Sequence, residues 1–518
     1  MDSTTTQHDH AAEKVYGVDI HGKKFSRWAM LILILVGTFA SMLMQTSLGT
    51  AIPTLMTDFD ISMSTAQQAT TWFLLANGIM VPISAYFATK FPTRWLYSLS
   101  YIILFAGMFL AYIAPTDAWW VFLAGRMFQA IAAGITMPLM QVCLVNMFPP
   151  KQMGAVMGLG GIVVGLGPAI GPTFAGWLMS NDHVFLGITL PGSWRTMFLV
   201  PMVIVAIVTV LSFFLMRDVV PNRPIKLDLI SLIESVLGFG IFLWGFTNVS
   251  SDGWTKFSTV ILPILIGVVF IAAFILRQLH LDQPFLDIRV FKNRQFTLTT
   301  IILALATMAM MGVEMMLPLY LQQVHALSAF DSGLILMPGA LMMGFISPLA
   351  GVAFDKVGVR RLAILGFSIL ALGTIPFLFF GTATPDHFVT TLYGLRMFGI
   401  AMVMMPLTAS AMNALPVNEV ADGTASNSTA RSLASAVVVA LLSSVTQNVI
   451  TNNMPADSLQ KTNPLKYAGG AIDGMLKGYH TSFAIGLAFA IVGFAASFFL
   501  AKKKKEATEL TVIEGGEK

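Results

Sequence analysis

SAYFATKFPTR, residues 84–94, returns as GVAFDKVGVRR at residues 351–361, 267 positions later. Each copy follows an apolar run and ends in arginine. The correspondence continues outward, in order. Asn146 and Pro149 match Asn413 and Pro416 at the same offset. Arg126-Met-Phe recurs as Arg396-Met-Phe at an offset of 270, and Pro53 matches Pro318 at 265. An ordered set of near-equal offsets marks an internal repeat, and each copy holds six apolar runs. Two six-helix bundles related by an axis along the membrane normal are a transporter plan.

The runs themselves require a membrane. Of the 518 residues, 56% are hydrophobic and only 11% charged, where a soluble domain carries about 25% charged residues. Fourteen apolar segments are long enough for a hydrocarbon core of ~30 Å at 1.5 Å per residue. They fall near 28–53, 67–88, 95–114, 119–147, 153–179, 196–216, 229–249, 257–276, 296–320, 332–353, 362–381, 389–414, 424–449 and 481–501. The expected fold is therefore an all-α membrane protein of fourteen transmembrane helices. Its parts are a cytoplasmic tail (1–27), a six-helix bundle (28–217), two inserted helices with linkers (218–295), a second bundle (296–501) and a basic cytoplasmic tail (502–518). The longest outer connection, about 450–480, is too short for a separate domain.

Lys and Arg set the orientation. Of 30, 22 fall on the side of the N-terminus, five on the other, and Arg126, Arg396 and Arg431 lie within spans. Missing one span would destroy that split, so it supports the count as well as the orientation, with both termini cytoplasmic. No cleaved signal peptide is expected, because 27 polar residues precede a long first span.

Other classes are excluded by what the chain lacks. Cys143 is the one cysteine, and the eight histidines stand outside the apolar runs, so no metal site is expected. There is no HExxH, no G-x-S-x-G and no Walker lysine loop. An enzyme, a receptor with a large outer domain and an ATP-driven pump are all disfavoured. No cofactor is expected beyond a proton gradient. The expected partners are the lipid bilayer, protons and small lipophilic or cationic substrates, with no nucleic acid, and the chain is read as a monomer.

Several motifs resemble one family. GLGGIVVGLGPAIGPTFAGW, residues 158–177, is similar to the antiporter motif of the fourteen-span drug/proton antiporter branch of the major facilitator superfamily, the bacterial multidrug exporters. Gly165, Gly167, Pro168, Gly171, Pro172 and Gly176 occupy its small and kinking positions. Leu123-Ala-Gly-Arg126-Met-Phe-Gln129 resembles the fourth-span arginine motif, which implies that Arg126 takes part in proton coupling. Leu317-Pro-Leu-Tyr-Leu-Gln-Gln, Gly333-Leu-Ile-Leu-Met-Pro338 and the linker from Gln283 to Arg294 resemble the second half of that branch. Two departures stand out. Met44 replaces a common acidic residue of the first span, and Ala88 replaces the usual Asp of the first gate motif, whereas Asp355 completes the second copy.

The residues suggest a mechanism. An acidic side chain inside a span costs about 2.5–3.5 kcal/mol even on lenient scales. Glu314 is the one acid well inside a span of the repeats, and Met310, Met311 and Thr307 share its helix face. It is the leading proton-coupling residue, with Arg126, and with Glu234 at the inner end of the first inserted span as a second carboxylate. Arg126 lies too deep to snorkel and needs a polar partner such as Gln129. Arg396 and Arg431, closer to span ends and polar runs, read as structural. Glycines at three- and four-residue spacing give the fifth span a smooth surface, and Pro168 and Pro172 bend it. Gly351, Asp355, Gly358, Arg360, Arg361 and Arg94 would form a cytoplasmic gate. Gln45, Trp72, Asn77, Gln129, Met310 and Met311 would line the substrate cavity, with Phe73, Met404 and Met405 as further candidates. The expected function is proton-driven export of lipophilic or amphipathic drugs; export of a lipid, glycolipid or nucleotide-like compound is the alternative.

Overall fold

A computed structural model describes residues 17–501, apart from 149, 186, 221–227, 282–283, 285–286 and 417–418. A helix covers every one of the fourteen apolar segments, because in lipid only a helix satisfies its own backbone. The first bundle contains α1 (Arg27–Thr46), α2 (Leu48–Asp58), α3 (Met63–Lys90), α4 (Thr93–Ile113), α5 (Trp119–Met147), α6 (Pro150–Ser180) and α7 (Thr196–Leu215). The insertion is α8 (Leu229–Asp252) and α9 (Leu262–His280), the latter entered through a π-helical turn. The second bundle contains α10 (Arg294–Glu314), α11 (Leu317–Gln323), α12 (Ala329–Val357), α13 (Val359–Thr374), α14 (Asp386–Asn413), α15 (Val420–Asn453), α16 (Asp457–Thr462) and α17 (Pro464–Ser497). Among the described residues, twelve helices are long and apolar enough to cross a membrane. The other two long ones, α3 and α6, have 28 and 31 residues.

Polar residues at the apolar boundaries start the helices. Ser62 and Ser328 accept from the backbone N–H groups of Thr65 and Asp331 at 3.2 and 3.0 Å, and Asn293 caps α10. Gly358 ends α12 at φ +84°, a conformation a side chain would strain, and turns the chain directly into α13.

The first helix of each half is broken. The chain steps out of α1 at Ser47, before Pro53, and out of α10 at Met315 and Met316, before Pro318. Discontinuous helices at corresponding places are where transporters form their sites. The halves meet along two seams, α3 against α15 and α6 against α12. At the first, a Cβ on Gly78 would come 2.9 Å from Ser432 Cβ. At the second, Thr173 Oγ1 donates to the Gly333 carbonyl at 2.8 Å. A third link joins the helices beyond the breaks, with Gln322 Nε2 donating to the Thr50 carbonyl at 3.2 Å. Two of these links lie toward the face opposite the chain ends, so the halves are joined there.

Two elements differ from expectation. The connection at 450–480 is mostly helix, since α15 runs to Asn453 and α17 begins at Pro464, capped by Asn463. A short antiparallel hairpin pairs His183 with Leu190 and Phe185 with Ile188.

Candidate functional site

The repeat places two arginines at equivalent depths, and each holds the carbonyl of its half's first helix. Arg126, on α5, is 1% exposed. Its Nη1 donates to the Met44 carbonyl at 2.8 Å and to Gln129 Oε1 at 2.7 Å, and Gln129 Nε2 reaches the Gly107 carbonyl at 3.0 Å. The guanidinium lies 4.4 Å from the Phe73 ring centroid. In the second half Arg396, on α14, is wholly buried. Its Nη2 donates to the Ala309 carbonyl at 3.1 Å and its Nε to Thr374 Oγ1 at 2.8 Å. Met44 and Ala309 differ by 265 positions, the offset that relates Pro53 to Pro318.

The halves differ in one charge. Glu314 is the last residue of α10, at the break, and its Oε2 is sealed with no hydrogen-bond partner. It lies within electrostatic reach of Arg396 and of the buried Tyr393. Among the described residues no carboxylate pairs with Arg126, and the position equivalent to Glu314 is Gly49. Only the second half therefore joins an ionisable acid to its buried arginine. Arg396, read from sequence as structural, belongs to this cluster. The signal was the repeated Arg-Met-Phe, which put it at the depth of Arg126.

Glu234 does not join Glu314 or Arg126. It sits on α8 with Oε2 sealed, and its charged neighbour is Arg277 on α9. Arg277 is held by Asp228 through bonds of 2.5 and 2.9 Å. Those bonds keep the Asp228 carboxyl down at about 2. This cluster pins the inserted helices to each other.

The fifth-span motif, on α6, lies between the halves. A Cβ on Gly167 would come 2.7 Å from Met42 Cβ, and one on Gly171 would collide with Thr46 Oγ1, both on α1. Thr46 Oγ1 also donates to the Gly167 carbonyl at 3.0 Å, and Thr50 Oγ1 to that of Pro172 at 3.1 Å. One turn on, a Cβ on Gly176 would strike the Ala329 carbonyl of α12, in the other half. The side chains of Gly165 and Pro168 lie outside the described residues.

Of the gate residues, Arg94 donates its backbone N–H to Asp218 Oδ1 at 3.0 Å, just past the end of α7, and its guanidinium to the Phe213 carbonyl of α7. Arg361 is exposed, Arg360 half-buried, Gly351 faces open space, and the Asp355 side chain lies outside the described residues. Of the cavity candidates, Phe73 is 1% exposed beneath Arg126, and Gln129 is wholly buried as that arginine's hydrogen-bond partner. Gln45, Trp72, Met310 and Met311 are half-buried. Asn77 Oδ1 accepts from Ser432 Oγ at 3.3 Å across the first seam. Among the described residues no cluster of three potential metal ligands occurs.

Residues 34–439 match the Major Facilitator Superfamily. The chain belongs to that family. It is a multi-pass membrane transporter and not an enzyme. The MFS-type transporter YcnB of Bacillus subtilis (strain 168), itself called uncharacterized, is 39% identical over 490 residues, covering 95% of this chain and 98% of that one. The lincomycin resistance protein LmrB of the same strain is 33% identical over 483 residues, 92% of this chain and 96% of that one. The fold also matches a bacterial homologue of the human lysosomal transporter Spinster in an inward-facing, occupied conformation. The TM-score is 0.63 at 14% identity, over 92% of this chain and 97% of that one. These relatives agree with the drug/proton antiporter branch that the motifs resemble.

Proposed function

We propose that the chain is a fourteen-span, proton-coupled exporter of lipophilic or amphipathic compounds in the plasma membrane, with both termini cytoplasmic. The observation that carries this reading is Glu314, a carboxyl at the break of α10 with one oxygen sealed and Arg396 as its charged neighbour. A proton arriving there cancels the attraction between the two. Arg396 also holds the Ala309 carbonyl, so loss of that attraction loosens α10 against α14. The uptake or release of one proton thereby biases which way the second half packs. Movement between the halves is carried by the α6–α12 seam, where Gly176 and Gly333 allow backbone-to-backbone approach. Names of relatives such as the lincomycin resistance protein favour drugs as cargo.

The test uses the full chain in proteoliposomes with an imposed pH gradient. Glu314→Gln mimics the protonated side chain and cannot release H⁺. Substrate-induced proton movement should vanish, while substrate exchange without a gradient persists. Gradient-driven export at the wild-type rate in that variant would overturn the reading.

A further inference from the structure

Three arginines lie within spans, and two of them are hydrogen-bonded to a backbone carbonyl and a neighbouring side chain. The third is not. Arg431 is the twelfth residue of α15 and half-buried. It lies beside Ser432, which meets Asn77 and Gly78 at the seam between the halves. Among the described residues Arg431 makes no hydrogen bond, ion pair or ring contact, and no carboxylate lies within electrostatic reach of it. Sealed, partnerless nitrogens occur on Arg126 and Arg396 but not on Arg431, so its guanidinium is not closed off as theirs are.

Its neighbours on the same face are also uncommitted. Asn427 and Ser435 stand one turn to either side, four residues away, and are each 5% exposed. Asn427 Nδ2 is sealed without a partner, and Ser435 Oγ makes no hydrogen bond among the described residues. The result is a column of donors in the first half of α15: an amide, a guanidinium and a hydroxyl. A buried cation without a counter-charge is costly. A planar guanidinium flanked by neutral donors matches an oxyanion in geometry and charge.

We propose that Asn427, Arg431 and Ser435 form an anion-recognition site in the transport path, taking the carboxylate or similar oxyanion of an amphiphilic substrate. The inference rests on the exporter reading and narrows its substrate class: the cargo includes amphiphiles with an anionic head. The apolar remainder of such a substrate would lie against the half-buried methionines of the path, and the head against α15.

The probe is a matched pair, dansyl-glycine and its methyl ester, which differ in one negative charge. Binding to the purified full chain is read by fluorescence, and transport in proteoliposomes. Wild type should bind the carboxylate more tightly than the ester. Arg431→Gln should weaken carboxylate binding by about ten- to a hundredfold, as loss of a charge-assisted pair does, and weaken ester binding far less. Arg431→Lys should restore part of the loss, and Asn427→Ala should give a smaller one. Equal wild-type affinity for the two probes overturns the proposal, whatever the variants do. So does equal loss of both probes in Arg431→Gln, which would mark a structural arginine. If the probes discriminate but transport ignores the pH gradient, the coupling role of Glu314 fails and this site stands.

Discussion

At the scale of single residues, the two buried arginines make a contrast that mutation can read. Arg126 and Arg396 do the same structural work on Met44 and Ala309, but among the described residues only Arg396 has an acid beside it. Arg126→Gln should slow transport at all pH values alike, because it removes a strut. Arg396→Gln should also change the shape of the pH–rate profile, because it removes the charge that Glu314 responds to. Coincident profiles for the two variants would place the proton elsewhere. A separate prediction concerns Asp228, whose carboxyl is held down at about 2 by the bonds from Arg277. A depressed acid contributes stability above its unfolded value near 3.9 and loses it as pH falls toward 2. Asp228→Asn should therefore lower the melting temperature at pH 7, with the difference from wild type closing between about pH 4 and pH 2. Glu314 was legible in the sequence because one acid in an apolar run is conspicuous. The role of Arg396 was not, since hydropathy places it near polar residues and only the fold shows which carboxylate it faces.

At the scale of elements, α6 is defined by what its glycines admit. Gly171 lies against Thr46, next to the break between α1 and α2, with no room for a side chain. Gly171→Leu should leave membrane insertion intact, because hydropathy rises, and should cut transport at least tenfold by forcing α6 off α1. Normal surface expression with normal transport kinetics would show that this contact is dispensable. Gly176→Leu should act differently, because its neighbour is the Ala329 carbonyl of α12, across the seam. It should trap the carrier with the halves apart at that end, which accessibility of a cysteine placed at Ser332, buried beside Gly333 at the seam, would report. The broken helices were foreshadowed by Pro53 and Pro318 at matching positions. The helical ends at 450–480 were not, because Asn, Ser, Gly and Lys dilute the hydropathy there. Helix continuity at those places comes from the Asn463 cap and from packing on α15 and α16. The hairpin at 183–190 escaped for a similar reason, since three-residue strands carry too little periodicity to register.

At the scale of the whole molecule, the distribution of charge sets how the carrier answers to each component of the driving force. On the proposed reading, two arginines are fixed in the walls, one carboxyl exchanges protons, and one arginine faces the path. If one proton enters per cycle through Glu314, the net charge moved depends only on the cargo. A monocation leaving for a proton moves none, and then only the pH gradient drives export, at about 1.4 kcal/mol per pH unit. A neutral substrate moves one positive charge inward and gains about 2.3 kcal/mol more per 100 mV. An anion held at Arg431 and carried out moves two, which doubles the electrical part to about 4.6 kcal/mol per 100 mV. The concentration gradient each class reaches at fixed pH should thus depend on membrane potential in the ratio of none, one and two. Proteoliposomes with the potential clamped by valinomycin and the pH gradient set by nigericin and buffer would measure this with the dansyl carboxylate, its ester and a dansyl quaternary amine. Strong potential dependence for the quaternary amine would mean that more than one proton enters. Glu234 would then be the next carboxylate to neutralise, since its sealed oxygen lies on α8, which packs against both α3 and α15. Potential dependence of the carboxylate no steeper than that of the ester would mean that the anion travels together with an extra proton, and Arg431 would then bind the head without carrying its charge across.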